Sequence, residues 1–151
     1  MVMLMLLAFS VSAADIEGLK DPGAIPGDLT YGLKTAWERF QLTFTFNKEK
    51  QIAKQLEFAE RRLAESAALR EKGEVEKSVE LMGKYQDKIE KVDGLIQKYG
   101  ENIQTRTRIQ ERLYNHSRVM DKYELTNSTQ QKVRLSYLHN HINQNAKGNG
   151  K

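Results

Sequence analysis

Two glycines divide most of the chain into segments of similar length, and this spacing constrains the fold more than any other feature. Gly73 and Gly100 each follow a lysine within two residues and end a long run without proline. Glycine accepts the left-handed conformation that ends a helix, and a cation favours the negative end of the helix dipole. The pattern predicts helices over 48–72, 74–99 and 101–125. Such short connections join helices that run antiparallel.

The apolar residues of these segments recur at alternating spacings of three and four, which is the narrow seam of coiled-coil packing. In the second segment the seam consists of Met82, Tyr85, Ile89, Val92, Ile96 and Tyr99. The third segment has a weaker seam of Ile109, Leu113, His116, Met120 and Tyr123. We therefore predict an all-α fold, either an elongated antiparallel helical hairpin or a three- to four-helix bundle, preceded by a short N-terminal helix.

The short N-terminal helix is expected to run from a Pro-Gly-Asp turn to about Phe44. Asp28 or Thr30 can accept hydrogen bonds from the free N–H groups of its first turn. Tyr31, Leu33 and Trp37 recur at helical spacing, and aromatic residues at such spacing usually pack in a core. We expect them to pack this helix across the hairpin, with the indole of Trp37 largely buried.

The composition and the positions of Gly and Pro divide the chain into four parts. Residues 1–14 are uncharged and apolar and end in small residues, as in a secretory signal peptide, although no Lys or Arg precedes the apolar run. An irregular lead rich in Gly and Pro follows over 15–27, and the helical domain is expected over 28–143, including a shorter helix near Val133 to Ile142. A polar tail, 144–151, completes the chain. The leader predicts an extracytoplasmic location.

The charge of the chain is uneven. Residues 1–100 hold 15 Lys or Arg and 16 Asp or Glu, whereas residues 101–151 hold nine and four. The expected anionic-partner surface comprises Arg106, Arg108, Arg112, Arg118, Lys122 and Arg134. An exported protein rarely meets nucleic acid, so an anionic envelope polymer, a lipid surface or an acidic protein is the favoured counterpart. A weak homodimer along the third long helix is a further expectation.

Sequence motifs of catalysis are missing from the chain. It contains no Ser nucleophile elbow, zinc-protease motif, phosphate-binding loop or EF-hand. His139 and His141 would point to nearly opposite faces of a helix, so we predict no metal site and no cofactor. Asn115 and Asn127 fit the glycosylation acceptor pattern. We expect a protein without enzymatic activity.

The stretch "PGDLTYGLKTAWERFQ", followed by "AERRLAE", has the pattern P-G-D-x-x-Y-x-L-K-x-x-x-E and then A-x-x-R-L-x-E. In these residues the chain resembles an uncharacterised family of exported helical domains of bacteria and archaea, domain of unknown function family 5667. The resemblance implies export and a helical fold and carries no activity. The matching residues, which we expect to be structural, are Pro26, Gly27, Asp28, Tyr31, Leu33, Lys34, Trp37, Glu38, Ala59, Arg62, Leu63 and Glu65.

Two functions are compatible with these features. The first is a non-enzymatic extracytoplasmic helical module that binds or scaffolds at the cell surface. The alternative is a periplasm-type chaperone or envelope stress adaptor that holds hydrophobic clients. A cytoplasmic helical protein that binds nucleic acid remains a third option if residues 1–14 are not a leader.

Overall fold

The computed structural model describes Leu19, residues 22–100 and 102–125, Leu135 and Leu138. Four α-helices lie in this part of the chain, and none of its residues forms a strand. They are α1 (Tyr31–Thr43), α2 (Lys48–Glu71), α3 (Val75–Tyr99) and α4 (Ile103–Lys122). The predicted all-α fold is confirmed. None of these helices has the length and apolar character needed to cross a membrane.

The turn between α2 and α3 is the tight glycine turn that the sequence predicts. Gly73 has a φ of +76°, in the left-handed region. Its N–H donates to the carbonyl of Arg70 at 3.0 Å, and the N–H of Glu74 donates to the carbonyl of Leu69 at 2.9 Å. These two bonds satisfy carbonyls that the end of α2 would otherwise leave open. The helices are therefore joined as an antiparallel hairpin.

Helix α2 is the centre of the fold. It packs most extensively against α3, less against α4 and least against α1. Small residues such as Ala59, Ala64 and Ala67 are fully buried and let the neighbouring helices approach closely. The hydroxyl of Ser66 bonds to the carbonyl of Ser78 on α3 at 2.9 Å. Because α2 is covered on several sides, charged residues on it are also enclosed.

The predicted seams form the main hydrophobic core. Met82, Tyr85, Ile89, Val92 and Ile96 of α3 are all buried in one cluster with residues of α2 and α4. The core residues from α4 are Ile109, Leu113, Val119 and Met120. The placement of Tyr99 in the seam is wrong. It is the last residue of α3 and is exposed, with the ammonium of Lys48 4.0 Å from its ring centroid.

Several predictions fall outside the described residues. These include the leader over 1–14, the tail over 144–151 and most of the short helix near Val133 to Ile142. From that helix, Leu135 and Leu138 are described, and both are helical and buried in the main core. In the lead, Ile25 is buried in a small cluster with Leu69 of α2 and Leu81 of α3.

Helix α1 turns a different side towards the hairpin from the one predicted. Trp37 is 57% exposed and Leu33 is 75% exposed, so the expectation that they pack across the hairpin is wrong. The side of α1 that faces α2 instead carries Lys34 and Glu38, which form ion pairs with α2. A helix can turn only one side inward, and here the charged side has that position.

Candidate functional site

The site begins with the turn that leads into α1. Ile25, Pro26, Gly27 and Asp28 form this turn, in which the N–H of Asp28 donates to the carbonyl of Ile25 at 3.0 Å. Gly27 has a φ of +110°, a conformation that other residues rarely adopt. The carboxylate of Asp28 accepts the N–H of Ile25 at 2.8 Å.

The predicted capping of α1 by Asp28 or Thr30 is wrong. Thr30 makes no side-chain capping bond to the helix. The Asp28 carboxylate bonds backwards to Ile25, because the turn brings that N–H close to it. Asp28 therefore closes the turn before α1 and fixes the direction from which the chain enters the helix.

Lys34 ties this turn and α1 to the central helix. Its ammonium donates to the carbonyl of Ala24 at 2.8 Å, to the carbonyl of Pro22 and to the carboxylate of Glu65 on α2. An ammonium has three hydrogens to donate, so these three acceptors use all of them. The lead, α1 and α2 thus meet at one side chain.

Arg62 of α2 is the centre of a buried ionic network. Its guanidinium donates to the carboxylate of Glu38 on α1, to Oε2 of Glu65 at 2.7 Å and to the hydroxyl of Tyr31 at 2.7 Å. The Tyr31 hydroxyl in turn donates to Glu65 Oε2 at 3.3 Å. Arg61 lies at the edge, with Nη1 3.3 Å from Glu38 Oε1. We call Tyr31, Lys34, Glu38, Arg62 and Glu65 the ionic anchor.

Burial dominates the electrostatics of the ionic anchor. It raises the pKa of Tyr31 to about 12, with a further contribution from the negative charge of Glu65. Burial also raises the pKa of the Glu65 carboxyl, against the lowering effect of Arg62 and Lys34. Both carboxylates and the Tyr31 hydroxyl accept hydrogen bonds from cations of the network, so these groups bind one another. Such a network fixes the orientation of α1 more than it adds to net stability.

The outward side of α1 is apolar and aromatic. Leu33, Trp37 and Phe40 of the helix and Phe44 directly after it are exposed by 75%, 57%, 52% and 60%. The rings of Trp37 and Phe40 stack with centroids 5.4 Å apart, and those of Phe40 and Phe44 lie 4.5 Å apart. We call these four residues the aromatic face. Leu29 before the helix and Phe46 after it are also exposed.

The part of the chain that matches a known family is the part that contains the four helices. The sequence model named Domain of unknown function (DUF5667) matches residues 23–126. The chain belongs to the DUF5667 family. The matched region contains all four helices, including the whole ionic anchor and the aromatic face. Searches of curated proteins and of solved structures found no match.

A second polar cluster of this DUF5667 domain lies between α2, α3 and α4. His116 is fully buried, with Nδ1 3.1 Å from the hydroxyl of Tyr85 and Nε2 3.4 Å from Oε1 of Glu60. Nε2 makes no hydrogen bond of good geometry. Burial lowers the pKa of His116, against the opposing effect of Glu60. Sequence analysis did not single out Glu60, although it lies within the apolar side of α2 next to Ala59.

Only some of the described residues of the predicted basic surface are exposed. Arg108, Arg118 and Lys122 are exposed on α4 and Arg106 is half-buried. Arg112, however, points inward, with Nε 3.1 Å from Oε1 of the buried Glu60. The ion pair with Glu60 reduces the charge that Arg112 offers to a partner, and the partner surface as a whole stays a prediction.

The remaining predicted site residues are divided between described and undescribed parts. Leu63 is fully buried in the core. Asn115 is half-buried within α4. Arg134, Asn127 and the pair His139 and His141 lie outside the described residues. The structure thus brings together Tyr31, Lys34, Glu38 and Arg62, and it places Leu33 and Trp37 on the other side of α1.

Proposed function

We propose that this DUF5667 domain is a non-enzymatic helical binding or scaffold module that acts outside the cytoplasm, at the cell surface. The observation that carries the proposal is the orientation of α1, which turns charged residues towards α2 and aromatic residues towards solvent. Contiguous exposed apolar residues on a folded domain usually mark an interaction site.

The energetic argument supports the same conclusion. Leaving large apolar side chains in water forgoes about 1.5–3 kcal/mol for each one that could be buried. Helix α1 could bury Trp37 and Phe40 by turning about its axis, but the ionic anchor opposes that rotation. An arrangement that keeps these residues in solvent is best explained by a partner that covers them.

The apolar leader over 1–14 supports the extracytoplasmic part of the proposal. The test is cell fractionation of the full chain, carrying a C-terminal tag, in cells that naturally produce it. We expect the leader either to be cleaved or to hold the chain on the outer side of the membrane. In both cases, protease added to intact cells should digest the tag. A tag that stays protected and a chain that fractionates with the cytosol would contradict the proposal.

The aromatic face also favours the alternative function, a chaperone or envelope stress adaptor. Unfolded clients expose apolar segments, and Trp37, Phe40 and Phe44 could contact them. The test is suppression of aggregation of a heat-denatured client protein at equimolar ratio. Suppression that is lost in Phe40→Ser/Phe44→Ser would favour this function, and no suppression by the native chain would exclude it.

The exposed cations of α4 offer a second contact for an anionic envelope polymer, lipid surface or acidic protein. A suitable variant is Arg108→Gln/Arg118→Gln, which leaves the Arg112 to Glu60 ion pair intact. Retention on an acidic polysaccharide should weaken in this variant. It should also weaken for the native chain as salt shortens the screening length below ~10 Å. Equal retention of the two proteins at every salt concentration would contradict this contact.

A further inference from the structure

We propose that the aromatic face of α1 binds the surface of a lipid bilayer, with the helix lying along the membrane plane. This inference rests on the proposed function and names the partner of its exposed helix. The charge of α1, the chemistry of its side chains, its dimensions and the position at which the chain enters it support this partner.

The charges of α1 suit a membrane surface. Glu38 is the one acidic residue in the helix, and it is buried in ion pairs with Arg62 and Arg61. Arg39 is exposed. The outward side of α1 therefore presents aromatic and aliphatic groups and no exposed carboxylate, with Arg39 at its flank, a composition that suits a helix lying in a bilayer interface.

The side chains of the aromatic face have the chemistry of the membrane interface. Trp37 combines a large apolar ring with an N–H group, and such amphipathic rings concentrate at the level of the lipid headgroups. Thirteen helical residues extend only ~20 Å, whereas the hydrocarbon core is ~30 Å thick. The helix is thus too short to cross the bilayer and has the length of an interfacial segment.

A second copy of the chain fits this face less well. With the adjacent Leu29 and Phe46, the exposed apolar area is comparable with the about 800 Å² that a stable interface buries on each partner, so shape and not area decides between the two. A single outward helix is convex, and it offers neither a matched surface to a second copy nor a groove for an extended peptide. A fluid bilayer needs neither a groove nor a matched protein surface.

The path of the chain places α1 close to any membrane that the leader enters. Lys34 bonds to the carbonyl of Pro22, so the lead arrives beside the first turn of α1. The apolar run 2–11 ends eight residues before Leu19, whose side chain is buried in the main core. A fully extended segment of eight residues spans at most ~29 Å, so the domain stays close to the surface of a bilayer that holds the leader.

The test uses the full chain with vesicles of phosphatidylcholine and with vesicles of phosphatidylcholine mixed with phosphatidylglycerol. We expect co-sedimentation with both kinds and a blue shift of Trp37 emission on binding. Phe40→Ser/Phe44→Ser should lower the partition coefficient at least tenfold, since two apolar side chains are lost from the buried face. The matched control is Ile103→Ser/Tyr114→Ser, which removes two exposed apolar side chains from α4.

The control should bind vesicles like the native chain, and circular dichroism should show that both variants keep the native helix content. Failure of the native chain to bind either vesicle would overturn the inference. An equal loss of vesicle binding in the α4 control would also overturn it. So would an α1 variant that loses a dimer but keeps vesicle binding. A third contradicting result is binding to anionic vesicles alone that Arg108→Gln/Arg118→Gln abolishes. If cell-surface location depends on Phe40 and Phe44 without any vesicle binding, the inference fails while the proposed function stands.

Discussion

Replacing Arg62 by methionine tests whether the ionic anchor holds α1 to the hairpin. Methionine keeps most of the length of the side chain but removes the charge between the carboxylates of Glu38 and Glu65. Removing one partner of a buried ion pair usually costs about 3–5 kcal/mol, because the remaining charge stays buried without compensation. Lys34 and Arg61 still contact the two carboxylates, so we expect a loss near 3 kcal/mol.

Urea unfolding followed by circular dichroism measures this loss. With a denaturant slope of about 1.5 kcal/mol per M, the midpoint of Arg62→Met should fall by about 2 M at neutral pH. The matched control is Lys84→Met, which breaks an exposed ion pair with Glu80 in which the two atoms lie 2.7 Å apart. Exposed pairs contribute less than about 1 kcal/mol, so this control should hardly move the midpoint.

The same experiment has a rescue and a pH dependence. Adding Glu38→Gln to Arg62→Met removes the carboxylate that loses its main partner, while Lys34 keeps its ion pair with Glu65 and Arg61 keeps its ion pair with Glu57. This double variant should recover part of the lost stability. The penalty should also shrink as the pH falls, because burial already raises the pKa of Glu65 and the loss of Arg62 raises it further. The reasoning is refuted if Arg62→Met is as mild as Lys84→Met, or if Glu38→Gln/Arg62→Met is no more stable than Arg62→Met.

Two further predictions concern the hairpin and the buried histidine. Gly73→Val should lower the free energy of unfolding in urea by about 1 kcal/mol or more, since a β-branched residue is strained at a φ of +76°. The control Gly94→Ala within α3 should raise it by about 0.5–1 kcal/mol. Equal unfolding midpoints for the two variants would contradict the turn at Gly73. Burial holds the pKa of His116 below its unfolded value of about 6.5, so the unfolded chain takes up a proton first and the free energy of unfolding should decrease as the pH falls from 7 to 5.5. His116→Gln should flatten this slope by up to about 1.4 kcal/mol per pH unit, and an unchanged slope would assign it to other groups.

The hairpin could be predicted from the sequence because its signals are local. Glycine is a poor helix former and accepts the left-handed conformation that Gly73 adopts, and the seam of α3 repeats often enough to define one buried side. Asn47 likewise caps α2 as its residue type indicates, with its side chain accepting the N–H of Lys50 at 2.9 Å. In each case the sequence segment itself contains the interacting groups.

The orientation of α1 could not be predicted in this way, because it depends on residues of another helix. Helix α1 has both an aromatic side and a charged side, and the hydrophobic effect alone favours burial of the aromatic side. Arg62 and Glu65 decide otherwise, since they are enclosed within α2 and need partners. Their position beside the buried Leu63 was the available signal that charged residues of α1 would face inward.

The accessibility of Trp37 tests the central claim most directly, because it is the single tryptophan and lies on the aromatic face. The measurement is its emission and its quenching by acrylamide in the folded full chain, without lipid and at a concentration where sedimentation shows a monomer. We predict emission near that of solvated indole and quenching close to that of the urea-unfolded chain. A blue-shifted emission that is protected from acrylamide would show a buried indole and contradict the account of α1.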